Sequence, residues 1–112
     1  MDTLEIEIEI EGKKYTLKAN GYFMKKYYDL FKGNIIIDTY LATERKDMLK
    51  MSQLTYCAID EIDETFDEWI ANFKSPFFLL EHFNEIQNFL LQGINPTVAY
   101  NGASVEESKK NR

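Results

Sequence analysis

The sequence predicts an α+β fold, in which an N-terminal β-hairpin packs on a mainly α-helical bundle of about four helices. The first observation behind this prediction is the strict alternation of apolar and acidic residues from Leu4 to Glu11. The second is a series of helix start signals, each followed by apolar residues at helical spacing. The third is composition, because 112 residues with 45% hydrophobic and 14% aromatic content can enclose a core. We expect one domain over residues 1–94 and a flexible, disordered polar tail over residues 95–112.

The hairpin is predicted over residues 4–19. Gly12 and Lys13 fit a two-residue type II′ turn with glycine in the first position. This turn would place Ile10 opposite Tyr15, so that one face of the hairpin is apolar and the other is charged. A two-stranded hairpin is only marginally stable in water, so its apolar face must pack on a helix.

The helices are predicted over about residues 21–32, 39–62, 66–74 and 76–92. Asn20 is a candidate N-cap for the first helix. The second has apolar residues on most sides and is expected to be largely buried; Asp38 and Thr43 are both cap candidates, so it could be one helix or two. The preceding run Ile35–Ile37 fits a third strand or the lead-in to a helix, because periodicity does not separate the two.

The last two predicted helices have the clearest start signals. Thr65 followed by Glu68 is the pattern of a capping box. Ser75 followed by Pro76 places an N-cap residue before a proline at the first helical position, where its missing N–H costs nothing. Gly93 is expected to end this helix.

Charge and cysteine content exclude several classes of protein. The net charge is −6 and the pI is about 4.8, which disfavours nucleic acid and anionic membranes as partners. The single cysteine, Cys57, allows no intrachain disulfide, and no apolar run is long enough to span a bilayer. A cytoplasmic protein is therefore expected.

No arrangement of residues predicts catalysis, a metal site or a cofactor. The acidic residues between Asp60 and Glu68 lack the glycine that an EF-hand loop needs, and they suit a solvated helix start. His82 has no converging nucleophile or carboxylate, and its neighbours Glu81 and Glu85 are expected to spread over the surface. Cys57 lies among apolar residues, as a buried inert thiol does.

Adjacent apolar pairs on predicted helices indicate a protein-binding surface. Adjacent helical residues point about 100° apart, so one member of each pair is expected to leave the core. Aromatic residues are enriched at the centres of interfaces. The candidates for partner contact that this pattern gives are Tyr28, Phe77, Phe78, Leu90 and Leu91.

The order of these segments resembles a known family. An acidic strand is followed by G-K and K-Y-T-L-K, then by a helix with Tyr27 and Tyr28. A buried segment L-T-Y-C-A (Leu54 to Ala58) and the segment T-F-D-E-W-I (Thr65 to Ile70) come next, before a polar end. Over most of its length the chain is similar to the tail assembly chaperones of long-tailed phages and prophages of Gram-positive bacteria.

This resemblance implies a non-catalytic role. Such chaperones coat the tape measure protein, keep it soluble and help recruit tail tube subunits before they leave. The implied partners are the tape measure protein, the tail tube protein and further copies of the chain. The implied place of action is the host bacterial cytoplasm, and the chain is not expected in the mature virion.

A second hypothesis comes from the charge alone. A small acidic regulatory protein could block the basic surface of a DNA-binding protein, using the glutamates from Glu5 to Glu11. Such binding would weaken with salt, whereas binding through apolar side chains would not.

Overall fold

The computed structural model of the chain describes residues 4–94, and it has the α+β architecture that the sequence predicts. A two-stranded antiparallel sheet comes first, and helices follow. The elements are β1 (Leu4–Ile10), β2 (Lys13–Ala19), α1 (Gly21–Phe31), α2 (Ile35–Glu44), α3 (Met48–Ala58), α4 (Phe66–Ala71), a 3₁₀ turn (Leu80–His82) and α5 (Phe83–Ile94). The tail predicted over residues 95–112 lies outside the described residues.

The hairpin is confirmed, but its turn lies one residue earlier than predicted. Ile8 pairs with Tyr15 and Ile10 pairs with Lys13. The two turn residues are therefore Glu11 and Gly12, with φ of 48° and 87°. Positive φ at both positions is the type I′ turn, whose twist matches that of the strands. The predicted type II′ turn at Gly12 and Lys13 is wrong.

Three helices occupy the region in which the sequence predicted two. Asn20 caps α1 as predicted, and its side chain accepts a hydrogen bond from the Phe23 N–H at 3.0 Å. The run Ile35–Ile37 is the first turn of α2, capped by Asn34. Of the two alternatives for residues 39–62, one helix or two, the structure has two, because the chain turns between α2 and α3. Neither cap candidate is confirmed, because Asn34 caps α2 and Asp47 caps α3.

The last two helices are shorter than predicted. The capping box of Thr65 and Glu68 is present at the start of α4. The α-helix predicted from Pro76 is wrong, because residues 76–79 form turns and α5 begins only at Phe83. The Ser75 hydroxyl accepts a hydrogen bond only from the N–H of Phe77, and Gly93 lies inside α5 instead of ending it.

The core lies between the hairpin and α3, and α5 packs against β1. Leu17 of β2 forms an isolated bridge with Ile59, directly after α3. Trp69 is completely buried and contacts the rings of several aromatic residues. The burial predicted for residues 39–62 is confirmed for α3 but not for α2, whose Tyr40 and Leu41 are exposed. This packing leaves α2 with only one side against the rest of the protein.

Candidate protein-binding surface

The helix α2 has an inverted distribution of polar and apolar residues. Its buried side carries Asp38, Thr39, Ala42 and Thr43. Its large apolar side chains are exposed instead, among them Ile37 at 58%. A surface helix of a monomer normally turns its apolar side to the core. The exposed side of α2 is therefore suited to contact with another molecule.

Polar contacts hold α2 in this orientation. The Tyr27 hydroxyl of α1 donates a hydrogen bond of 2.5 Å to Asp38 Oδ2, and both side chains are buried. Lys50 Nζ of α3 lies 3.7 Å from the same oxygen. Burial and the bond to Asp38 raise the pKa of Tyr27 well above its ordinary value, so Tyr27 remains a donor. The carboxyl group of Asp38 thus links three helices.

A groove opens where the chain turns from α1 into α2. It has a volume of about 530 Å³, and Met24, Tyr28 and Ile36 are exposed in its lining. Lys32 Nζ lies 5.2 Å from the centre of the Tyr28 ring. Together with the exposed side of α2 the groove forms one apolar region, here called the α1/α2 surface: Met24, Tyr28, Ile36, Ile37, Tyr40 and Leu41.

Gly33 allows α1 and α2 to pack closely where the chain turns between them. A Cβ atom added to Gly33 would lie 2.2 Å from Asp38 Oδ2 and 2.9 Å from a ring carbon of Tyr27. Such distances are far below van der Waals contact, so any side chain would push the two hydrogen-bonded groups aside. The absence of a side chain at Gly33 is what lets α2 pack beside α1 with Asp38 against Tyr27.

The five candidate contact residues divide between surface and core. Tyr28 lies in the α1/α2 surface, and Phe77 is 59% exposed at a separate place. Leu91 is half-buried. Phe78 and Leu90 are buried, and Phe78 stacks on Phe73 with ring centres 4.0 Å apart. One member of the pairs Tyr27–Tyr28 and Phe77–Phe78 turns away from the core as predicted, whereas Leu91 is only half-exposed. Phe78 and Leu90 are core residues and are not available to a partner.

Most of the α1/α2 surface escaped the sequence-based reasoning. The missed residues are Met24, Ile36, Ile37, Tyr40 and Leu41. A signal was present, because Asp38, Thr39 and Thr43 recur at helical spacing and mark a polar side of α2. The sequence analysis considered Asp38 and Thr43 only as N-cap candidates, whereas this polar side faces the core.

The remaining ionisable candidates have structural roles. His82 Nδ1 lies 3.0 Å from Glu85 Oε1, and Nε2 lies 2.6 Å from the carbonyl oxygen of Glu9. The expectation that Glu85 spreads away from His82 is therefore wrong. The contact with Glu85 raises the pKa of His82. Burial raises the pKa of the Cys57 thiol to about 12, which confirms an inert buried cysteine.

Neither a metal site nor a membrane-spanning helix occurs among residues 4–94. No group of three or more His, Cys, Asp or Glu side chains in this range is arranged to hold a metal ion. None of its helices combines the length and the apolar character needed to cross a bilayer. Within residues 4–94, the α1/α2 surface is thus the feature best suited to binding another molecule.

Comparison of the chain with protein-family models, with curated proteins and with solved structures finds no significant match.

Proposed function

We propose that the chain is a non-catalytic tail assembly chaperone, which coats a phage tape measure protein, keeps it soluble and helps recruit tail tube subunits. The observation that carries the proposal is the outward-facing apolar side of α2. The sequence resemblance described above supplies the identity of the partner. The proposed place of action is the host bacterial cytoplasm, before the tail is complete, and the chaperone is then absent from the mature virion.

The α1/α2 surface has the size and character of a binding site for helices. Its six side chains are roughly half exposed and present roughly 500 Å² of apolar area, near the upper end for a monomer. Amphipathic helices bind other proteins by laying their apolar side against such a surface. A long helical partner would offer many sites of this kind, and each bound copy would cover one stretch of apolar helix.

The charge of the chain suits the same role. The net charge of −6 would accumulate along a partner covered by many copies. Mutual repulsion between covered partners would oppose their aggregation. The apolar surface would thus provide the affinity, and the acidic remainder would keep the complex in solution.

The acidic regulator is a weaker candidate. The outer face of β1 does expose Glu5, Glu7 and Glu9. However, the opposite strand places Lys18 beside Glu5 and Lys14 beside Glu9. These lysines reduce the negative potential that a basic partner would need.

Co-expression with the tape measure protein of the same genome tests the proposal. We expect the partner to be soluble only in the presence of the chain and to co-purify with many copies of it. The yield should change little with salt, because apolar contacts are not screened. Failure of well-folded chain to co-purify would refute the chaperone function, and loss of the complex at high salt would show that charged residues, and not the α1/α2 surface, provide the binding.

Substitutions in the surface make this test specific. The double variant Ile37→Asp and Tyr40→Asp places charge on the exposed side of α2 and should abolish co-purification. Leu49→Asp is the matched control, because Leu49 is equally exposed but lies on α3, outside the α1/α2 surface. Circular dichroism should show that all of these variants fold. Equal loss in the control would mean that binding is not localised to the α1/α2 surface.

A further inference from the structure

The groove between α1 and α2 is uncovered within residues 4–94. Its lining residues Met24, Tyr28 and Ile36 are 55%, 58% and 52% exposed. Concave apolar sites of about this size, 530 Å³, bury most of the surface of the group that they bind. An apolar group that the chain itself holds close to the groove is therefore expected to bind there.

The C-terminal end of α5 lies beside the start of α1. A Cβ atom added to Gly93 would lie 2.9 Å from the Cβ atom of Ala19, the last residue of β2. Helix α1 begins at Gly21, directly after its cap residue. The residues that follow Ile94 therefore start near the helix that forms one wall of the groove.

These following residues include a short apolar stretch. The run Val98–Tyr100 has polar residues and turn formers on both sides. Val98 and Tyr100 are two positions apart, so in an extended segment their side chains point to the same side. A tyrosine suits an open groove, because its ring is apolar and its hydroxyl can stay at the wet edge.

The stretch can reach the groove. The six residues from Asn95 to Tyr100 can span up to about 20 Å when extended. Along α1, the distance from Gly21 to Tyr28 is only about 10 Å. Because the stretch belongs to the same chain, its effective concentration at the groove is on the order of millimolar. Even a weak contact is therefore enough to occupy the groove.

The charge of the C-terminal segment favours the same contact. Lys109, Lys110 and Arg112 outnumber Glu106 and Glu107, so residues 95–112 carry a net positive charge. The whole chain has a net charge of −6, so the remainder is strongly acidic. Attraction between the two parts keeps the segment close to the fold.

We propose that residues 98–100 bind in the groove of their own chain, with Val98 and Tyr100 against the apolar lining. The bound segment shields the groove and leaves the rest of the α1/α2 surface exposed. A helical partner that uses the whole surface must displace the segment, which therefore acts as an intramolecular inhibitor. The inhibition rests on the proposed function, whereas the contact itself does not.

Photo-crosslinking of the full chain tests the contact. Tyr100 is replaced by the photoreactive p-benzoylphenylalanine, and isotopically labelled and unlabelled chains are mixed so that mass spectrometry separates crosslinks within a chain from those between chains. We expect crosslinks to residues 24–36 within one chain. Ile36→Asp should lower their yield several-fold, because it places a charge in the groove. Leu49→Asp, at an exposed residue of α3, is the matched control and should not. Crosslinks only between chains, or none to residues 24–36, would overturn the inference.

Methyl NMR of the full chain gives a second measurement without a photoreactive group. The double variant Val98→Ser and Tyr100→Ser should shift the signal of the Met24 methyl group, because the Tyr100 ring no longer lies beside it. Met48 lines a different surface, between α3 and α4, and its signal should stay unchanged. The buried Met51 reports whether the core is intact. An unchanged Met24 signal would contradict the contact.

Binding to the tape measure protein tests the inhibition. The same double variant should bind this partner several-fold more tightly than the original chain, because the partner no longer competes with the segment. Equal affinity of the two chains, with the crosslink present, would refute the inhibitory role. If neither chain binds, the proposed function fails, while the crosslinks and the Met24 signal still decide whether the segment occupies the groove.

Discussion

Replacement of Tyr27 by phenylalanine removes one hydroxyl from the contact that orients α2. The ring is fully buried and would keep its packing, while Asp38 would lose a donor at 2.5 Å. Only Lys50, at 3.7 Å, would remain near this carboxyl oxygen. A buried hydrogen bond to a charged group contributes about 1.5–3 kcal/mol, and its loss leaves a carboxylate underbonded. We expect Tyr27→Phe to lower the free energy of unfolding by that amount.

Chemical and thermal unfolding would measure this effect. For a chain of 112 residues, a loss of about 1.5–3 kcal/mol corresponds to a decrease in Tm of roughly 6–12 °C. Tyr28→Phe is the matched control, since Tyr28 is exposed in the next position and should tolerate the change. In a double-mutant cycle, Asp38→Asn should add much less to Tyr27→Phe than it costs alone. A Tyr27→Phe variant within about 0.5 kcal/mol of the original chain would refute the proposed role of this bond.

Three further predictions concern individual positions. Gly33→Ala should destabilise the fold by about 1–3 kcal/mol in urea unfolding, because its methyl group would displace Asp38; an unchanged midpoint would contradict the tight contact. Phe78→Ala should cost about 3–5 kcal/mol in the same assay, and a loss below 1 kcal/mol would mean that Phe78 is not a core residue. Bonding to Glu85 raises the pKa of His82 in the folded protein above its ordinary value of 6.5. The stability that protonated His82 contributes is therefore fully present below pH 6.5 and is lost as pH rises through the folded pKa. The excess stability over His82→Gln should therefore shrink as pH rises above about 6.5, and a constant difference would contradict this.

The hairpin shows how far a sequence pattern determines structure. The alternation from Leu4 to Ile10 determines which side of β1 is apolar, and that part of the prediction is confirmed. The position of the turn depends on a distant contact that alternation does not reveal. Glu11 adopts a positive φ in the turn, and its carboxylate accepts bonds from the backbone of Lys74 and Ser75. Residues more than sixty positions away thus favour the observed turn.

Two helix starts were predicted correctly from local capping residues, whereas the equally local caps Asn34 and Asp47 were missed. Asn20 and the pair Thr65–Glu68 act as the sequence indicates, because their bonds reach only three residues along the chain. The segment after Pro76 has the same local signals but does not form a helix there. Phe78 and Leu79 are both buried. Packing of these two side chains against the core determines the backbone conformation of the segment. Tertiary packing overrides the local signal in this segment.

The inverted helix α2 explains why the chain has more apolar surface than its core uses. A helix keeps its apolar side exposed to water only if burial of the opposite side stabilises the protein more. Asp38 favours burial of this side through its contacts with Tyr27 and Lys50. The Thr43 hydroxyl donates to the Thr39 carbonyl oxygen at 2.8 Å, so buried Thr43 needs no partner outside α2. Reversing α2 would bury its isoleucines but expose this network and leave Tyr27 without an acceptor. The contacts of Asp38 with Tyr27 and Lys50 therefore favour the observed orientation of α2, although the buried Thr39 hydroxyl has no partner among the described residues. A surface maintained by buried polar bonds is preformed, and a partner that binds it need not reorganise the fold.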